Sequence, residues 1–291
     1  MYNRFKVGVV MVDIKFHCDE KSNFSKGFSV CAFTYKNYSI VMHSHDFYEL
    51  NIVMAGTGTH HIENSQFRVK CGDVFVIPPM VAHAYEDTDN LEVYHIILRK
   101  DFFIENQKET EKVNGFLQFT EIEPFLRENS ARSRFLHISQ AQMLQLKNEL
   151  QYIDDNGDFS WKESAFLKYH SVWKLLYWFS DLLYRQNALS NPSTTNTYEL
   201  HIINVLEYIH SHYNDKLTID ILCKEVFLSR STFLRNFKAV CGTTPIEYLN
   251  NYRCKKAIEQ LKYEKCSKTE IAHACGFYDL SHMERMLKNY R

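Results

Sequence analysis

The C-terminal third of the chain carries one pattern twice. Ser229, Phe233, Arg235, Phe237 and Lys238 have counterparts 50 residues later in Asp279, Met283, Arg285, Leu287 and Lys288, and Ile221 likewise maps onto Ile271. In each copy a short helix leads through a tight turn into a second helix that opens on a capping residue, Ser229 or Asp279. Thr218 caps the first short helix, and Ser267-x-x-Glu270 has capping-box spacing. Gly242 and Gly276 end helices. Thr244-Pro245 opens the long helix, to about Lys262, that joins the copies. Apolar residues recur at helical spacing: Ile202, Ile203, Leu206, Ile209 and Tyr213, then Leu222 and Val226, then Leu249, Ala257, Ile258 and Leu261. A plain helical bundle shares that periodicity. The repeat, its caps and the Arg and Lys on both second helices favour a pair of helix-turn-helix units, whose second helices enter the major groove.

Charge agrees with this division. Residues 198–291 hold 14 Lys and Arg against 11 Asp and Glu, whereas residues 1–197 hold 20 against 24. A mildly basic segment is compatible with nucleic acid. With 45% hydrophobic and 24% charged residues the chain is globular, not disordered. No run approaches the ~18 consecutive apolar residues of a spanning helix, and no signal peptide is evident at the start, so the expected location is the cytoplasm with no membrane contact. The eight Cys form no C-x-x-C and no disulfide framework, which fits reduced thiols.

The N-terminal part has a different texture. From about Phe28 to Phe103, short strands are expected at Leu50–Met54, Phe67–Val69, Asp73–Ile77 and Leu91–Leu98, separated by turns at Gly56-Thr57-Gly58, Asn64-Ser65, Cys71-Gly72-Asp73 and Pro78-Pro79. From Gln140 the pattern turns helical, with Met143, Leu146, Leu150 and Ile153. A second helix over Trp161–Tyr184 carries Phe166, Leu167, Trp173, Leu176, Tyr177, Phe179, Leu182 and Leu183. Helices this aromatic pack on the sheet or on a second subunit. The uncharged stretch Asn187–Thr197 reads as a linker.

Residues 199–291, with LSRSTFLRNFKAVCGTTPIEYLNNYRCKKAIEQL and TEIAHACGFYDLSHMERMLKNYR, resemble the AraC/XylS family of transcription regulators. The resemblance implies two helix-turn-helix units on one linking helix, reading successive major-groove segments. It places Ser231, Leu234 and Arg235 at base edges, with Ser229 opening that helix and Arg230 and Lys238 beside phosphates. In the second unit it places Leu280, Ser281, Glu284 and Arg285 at base edges and Lys288 near the backbone. Arg235 and Arg285 are the strongest candidates, because a guanidinium can grip guanine O6 and N7 together. Leu234 and Leu280 offer only apolar contact to DNA or a minor packing role. The family usually has aromatic residues where Met283 and Leu287 stand, and continues past the position of Arg291, so a weaker, truncated second unit is expected.

Residues 28–103 resemble the cupin-type sensory domain of the same family. His43-x-His45-x-x-x-Glu49 followed by Gly56 matches the first cupin motif, and Gly72, Pro78 and His83 match most of the second. Asn37 and Met80 stand where metal cupins carry glycine. His43, His45, Glu49 and His83 form a donor set suited to zinc, iron, manganese or nickel. The same four residues could instead contact an organic effector, or be structural. Tyr48 and Tyr85 neighbour the set and could line a pocket. His60, His61, His95 and His137 lack comparable spacing and are expected to be structural or exposed.

The expected architecture is multidomain α and β. A cupin-like β-barrel with flanking helices, residues 1–186, precedes a linker at 187–197 and an all-α double helix-turn-helix domain at 198–291. The expected function is a dimeric, effector-responsive transcription regulator, not an enzyme. Its partners would be double-stranded DNA, a sugar or related metabolite, a second copy of the chain and, for an activator, RNA polymerase. The alternatives are a metal-dependent cupin enzyme and a truncated regulator acting as a dimerisation decoy. Residues 1–15 could form an arm or an edge strand.

Overall fold

The computed structural model describes residues 14–16, 30–63, 65–99, 102–103, 110, 113–129, 135–153, 162–188, 197–263 and 266–290. Most of the expected linker, most of the N-terminal arm and Trp161 lie outside them. The chain forms two compact units, residues 1–183 and 184–291.

The first unit is built on an eight-stranded sheet. Its strands are β1 (Ile14–Phe16), β2 (Val30–Lys36), β3 (Ile40–His45), β4 (Tyr48–Ile62), β5 (Ser65–Lys70), β6 (Asp73–Ile77), β7 (His83–Leu98) and β8 (Leu136–His137). The order is β1-β3-β7-β4-β6-β8, with β2 also on β7 and β5 also on β4. The expectation of uniformly short strands is corrected here. β4 and β7 run 15 and 16 residues and pair with each other along most of their length. Gly56-Thr57-Gly58 is no turn. It lies inside β4, where the register against β7 shifts between Val53 and Thr59. A strand can carry such bulges without ending, and each one turns the following side chains.

Alternation gives the sheet two faces with different company. Leu50 and Ile52 of β4, Val74 and Val76 of β6 and Tyr94, Ile96 and Leu98 of β7 join one core with the helices. Those helices are α2 (Gln140–Leu150) and α3 (Lys162–Ala188); α1 (Glu123–Asn129) precedes them and supplies no residue to this core. Met143, Leu146, Leu150 and Ile153 are buried in this core, as are Trp173, Leu176, Phe179 and Leu183. Of the two expected packing partners, the sheet takes this face of α3. Val53, Phe75, Ile77, Tyr85, Leu91 and Val93 form a second core on the inner face, around which the sheet wraps as a cupin-like domain.

The second unit is helical after α3: α4 (Thr197–His212), α5 (Ile219–Glu225), α6 (Arg230–Cys241), α7 (Pro245–Tyr263), α8 (Lys268–Ala274) and α9 (Leu280–Asn289). Ile202, Ile203, Leu206 and Ile209 of α4 are buried, as are Phe233 and Phe237 of α6. Met283 fills a second core with Cys254, Ala257, Ile271, Ala272, Cys275 and Phe277, and Leu287 packs against it. Every cap expected from sequence forms: Thr218 accepts from the Ile221 N–H, and Ser267 and Glu270 close a capping box. The pairing of Ile221 with Ile271 is corrected. Leu222 is the buried counterpart of Ile271, because the second turn holds one residue more. The left-handed residue is Phe227 (φ +53°) in the first turn and Gly276 (φ +77°) in the second, two residues before Ser229 and three before Asp279.

Gly56 sits at φ +71°, and a Cβ there would lie 2.2 Å from the Asn90 carbonyl oxygen. Gly56→Ala should therefore destabilise the protein by about 1–3 kcal/mol. Gly58, whose added Cβ would meet first the Leu91 and Thr88 side chains, should tolerate alanine at a cost under about 1 kcal/mol. Urea unfolding midpoints of the two variants check this contrast.

Candidate functional site

Two constellations carry chemistry, one in each unit. In the helical unit, Ser229 caps α6 by accepting from the Thr232 N–H at 3.4 Å, and Asp279 caps α9 by accepting from the His282 N–H at 2.7 Å. With Phe233 and Phe237 inward, Ser231, Arg235 and Lys238 share the exposed side of α6 at i, i+4, i+7 spacing. On α9, Met283 is inward, and Ser281, Glu284, Arg285 and Lys288 are exposed. The two leucines differ from this set: Leu234 is half-buried, and Leu280 packs against the Met283 core. Ser229 holds the helix start, its hydroxyl also meeting Thr232 Oγ1 at 2.9 Å. Arg230 pairs with Asp220 at 2.8 Å, both groups in solvent, where such a pair contributes little stability. Within the helical unit, α7 joins the two helix-turn-helix pairs. Its 19 residues span about 28 Å at 1.5 Å per residue, comparable to the ~34 Å repeat of B-DNA.

In the sheet unit, His43, His45, Glu49 and His83 are all buried. β3 runs beside the start of β7, with His43 opposite His83, and β4 brings in Glu49. One oxygen of Glu49, Oε2, lies 3.4 Å from His83 Nε2 and 3.6 Å from His45 Nε2. These three residues offer ligand atoms all within 4.8 Å of one another. His43 stands beside the trio, its ring 4.2 Å from that of His83 and 6.2 Å from that of His45.

The tautomers follow from the backbone. His45 Nδ1 is 2.8 Å from the Phe47 carbonyl, and His83 Nδ1 is 3.2 Å from the Val81 carbonyl. A carbonyl only accepts, so each Nδ1 carries the hydrogen and each Nε2 keeps a lone pair. Neither Nε2 has a hydrogen-bond partner among the described residues. Burial pushes His83 below the ordinary histidine range, against the pull of Glu49. Burial, then His83, lowers His43 to about 4. Burial would raise Glu49, but His95, which donates to it, leads the interactions that hold it well below the usual carboxylate range. Two lone pairs and an ionised carboxylate turned on one point repel each other unless a cation lies between them. The trio therefore fits a divalent metal, with two imidazoles and a carboxylate as donors. Asn37 (φ +52°) and Met80 (φ +68°) keep the left-handed backbone that glycine supplies in metal cupins.

Tyr48 is a correction. It is adjacent to Glu49 in β4 and so faces the other way, into the helix-packed core, against Phe103 and with its hydroxyl 3.4 Å from Glu121. Tyr85 does face inward. Four further residues bear on this face: His60 and His95, expected to be structural or exposed, and Asn51 and Arg127, which the sequence does not single out. His95 donates from Nδ1 to Glu49 Oε1 at 3.1 Å, and Asn51 donates to Oε2 at 3.2 Å. Both were legible as members of the inward alternation, Asn51 two residues after Glu49 and His95 two after Val93. His60 lies between the Phe75 and Tyr85 rings. It turns inward only because of the bulged stretch before it. Arg127 of α1 is fully buried, over the Phe75 ring at 4.7 Å, and no motif marks it. His61, with Glu86 3.3 Å away, is partly exposed, and His137 pairs with Asp73 at 2.7 Å.

Comparison with known families gives two matches. Residues 26–152 match the family described as AraC-like ligand binding domain, and residues 222–290 match a helix-turn-helix domain. The HTH-type transcriptional activator RhaS from Escherichia coli is 26% identical over 251 residues, 84% of this chain and 82% of its own. Among solved structures, the DNA-binding domain of AdpA in complex with a target DNA is 24% identical, covering 30% of this chain and 79% of that one at a TM-score of 0.30. ToxT from Vibrio cholerae is 15% identical, covering 89% of this chain and 94% of that one at a TM-score of 0.34. No helix among the described residues is long and apolar enough to cross a membrane.

Asp279 is the cap on which the start of α9 depends. Asp279→Ala should lower stability by about 1 kcal/mol, whereas Lys288→Ala on the exposed face should stay within about 0.5 kcal/mol of the parent. Thermal unfolding of both variants separates the two.

Proposed function

We propose that this chain, which belongs to the AraC family of DNA-binding transcription regulators, reads two successive major-groove segments and is switched by a small polar effector inside its sheet domain. The observation that carries the DNA reading is the duplicated helix pair. α6 and α9 are each capped, each anchored by an inward face, and each present an exposed Ser, Arg and Lys. Arg235 and Arg285 are the groups suited to guanine, and Lys238 and Lys288 to phosphate. Ser231, Ser281 and Glu284 complete the exposed faces, and Glu284 is suited to cytosine N4.

The effector reading rests on the inner face of the sheet, where His43, His45, Glu49, His83 and Tyr85 are buried together. By the family's habit the effector is a sugar or related metabolite. We assign a divalent metal to His45, Glu49 and His83, with His95 and Asn51 orienting the carboxylate. When bound, the metal would supply a Lewis-acidic anchor for an effector oxygen. Effector binding shifts the DNA-binding state only if its affinity differs between two states of the protein. A homodimer contact is favoured by apolar side chains left bare beside the core, Leu144 on α2 and Phe166 on α3, 68% and 66% exposed. RNA polymerase is the further partner if the protein activates. The same donor trio would serve a metal-dependent enzyme, and turnover of a substrate by the zinc-loaded chain would favour that reading.

Selection of duplex DNA from a random pool by the full chain tests the main proposal. The expected product is a motif with two half-sites about one helical turn apart. Failure to enrich any sequence even at low salt, where phosphate contacts are strongest, would overturn it. On the selected site, Arg235→Ala should cost about 1–3 kcal/mol and relax one base pair, while Lys238→Ala should weaken all sequences alike. Equilibrium dialysis should find one Zn2+ per chain, lost in His83→Ala and bound about 10–100-fold more weakly in His95→Phe.

A further inference from the structure

Beyond the metal trio, the inner face of the sheet holds a second group of buried polar atoms. Both ring nitrogens of His60, the hydroxyl of Tyr85, and Nη1 of Arg127 have no hydrogen-bond partner among the described residues. All three side chains are fully buried. They are also neighbours. The His60 ring lies 4.7 Å from that of Tyr85 and 5.0 Å from that of Phe75, and the Arg127 guanidinium lies over the other partner of that stack, Phe75, at 4.7 Å. Arg127 is held in place by a hydrogen bond from Nη2 to the Val76 carbonyl and by Glu123, whose Oε1 is 3.4 Å from Nε. Burying donors of this kind unmatched is costly, and a guanidinium cannot shed its proton to escape the cost. His60 also ties this group to the trio, its ring 6.0 Å from that of His83.

The geometry points to a carboxylate subsite formed by Arg127, Tyr85 and His60, so that the effector is a small hydroxy acid. This rests on the reading of the sheet interior as the effector site and deepens it. The donor inventory selects the ligand group. Arg127 offers only donors, Tyr85 a hydroxyl, and neutral His60 one N–H, so an acceptor-only group is matched. A carboxylate accepts from all three at once, with charge assistance from Arg127. A neutral sugar hydroxyl could meet the acceptor nitrogen of His60 but gives Arg127 no charge-assisted partner. Charge selects a monoanion over a phosphate dianion. With a divalent cation in the trio, the metal and Arg127 carry three positive charges against two negative ones on their partners Glu49 and Glu123, and one carboxylate balances this group. Hydroxyl oxygens of the same molecule then face the trio.

The test follows thermal unfolding of the full chain with Zn2+ present and with probe compounds in matched pairs. D-gluconate is set against D-glucitol and D-glucuronate against D-glucose, with glucose 6-phosphate as the phosphate arm. The expected result is a saturable rise in midpoint with at least one acid, at an apparent affinity about 10–100-fold above its neutral partner. Arg127→Met removes that preference, and Tyr85→Phe, which keeps the ring, weakens the acid more than its neutral partner. Tyr85→Phe carries the test if Arg127→Met does not fold. Equal affinity for acid and neutral partner, stronger binding of the phosphate, an acid preference that survives both substitutions, or no binding by either acid overturns the proposal. The Zn2+-dependent shift, kept in Arg127→Met and lost in His83→Ala, reports on the metal reading separately. Binding of neutral sugars alone would sink the carboxylate subsite while leaving the effector site standing.

Discussion

β4 is the strand on which both faces of the first unit depend. Its residues before the bulges alternate between Glu49 and Asn51 on one side and Leu50 and Ile52 on the other. One segment thereby supplies a charged carboxylate to the sheet interior and apolar side chains to the helix-packed core. An ionised carboxylate is tolerable there because His95 of β7 and Asn51 of β4 itself donate to it, while His45 of β3 and His83 of β7 turn toward it the ring nitrogens that would share a cation. The hydrophobic packing of α2 and α3 on the outer face and the polar chemistry of the inner face are fixed by one register. A slip of one residue would exchange Glu49 for Tyr48 and lose both at once.

The bulged middle of β4 adds a second constraint. Three shifts of register between Val53 and Thr59 carry the strand from one pairing environment to the next, and Gly56 supplies the backbone conformation that the bend requires. Past the bend the facing is reset, so His60 and Ile62 share the interior with Glu49 and Asn51 although their spacing from those residues does not predict it. This is the physical reason that His60 was read as structural or exposed. The strand was legible in its first half, where strict alternation holds, and misread at Gly56-Thr57-Gly58, where glycine and threonine look like a turn. Arg127 was not legible at all, because it reaches the interior from a helix 44 residues after His83 in the chain, and no local pattern connects them.

The helical unit was far more readable. Caps, left-handed helix ends and inward faces are settled within a few residues, and Thr218, Ser229, Gly242, Ser267 and Asp279 all act where the sequence placed them. What escaped was a difference between copies rather than a feature of either. Aligning the repeat on its second helices hid the extra residue in the second turn, and with it the true partner of Ile271.

That extra residue means that the two helix-turn-helix copies are homologous without being interchangeable cassettes. Phe227 holds a left-handed conformation that a bulky side chain adopts at a cost, and the residue is 94% exposed. In the other copy Gly276 holds that conformation freely, and the aromatic that follows, Phe277, is buried in the core. Each second helix therefore leaves its turn from a different footing. Transplanting the exposed side chains of α6 onto α9 would move their chemistry without moving their aim.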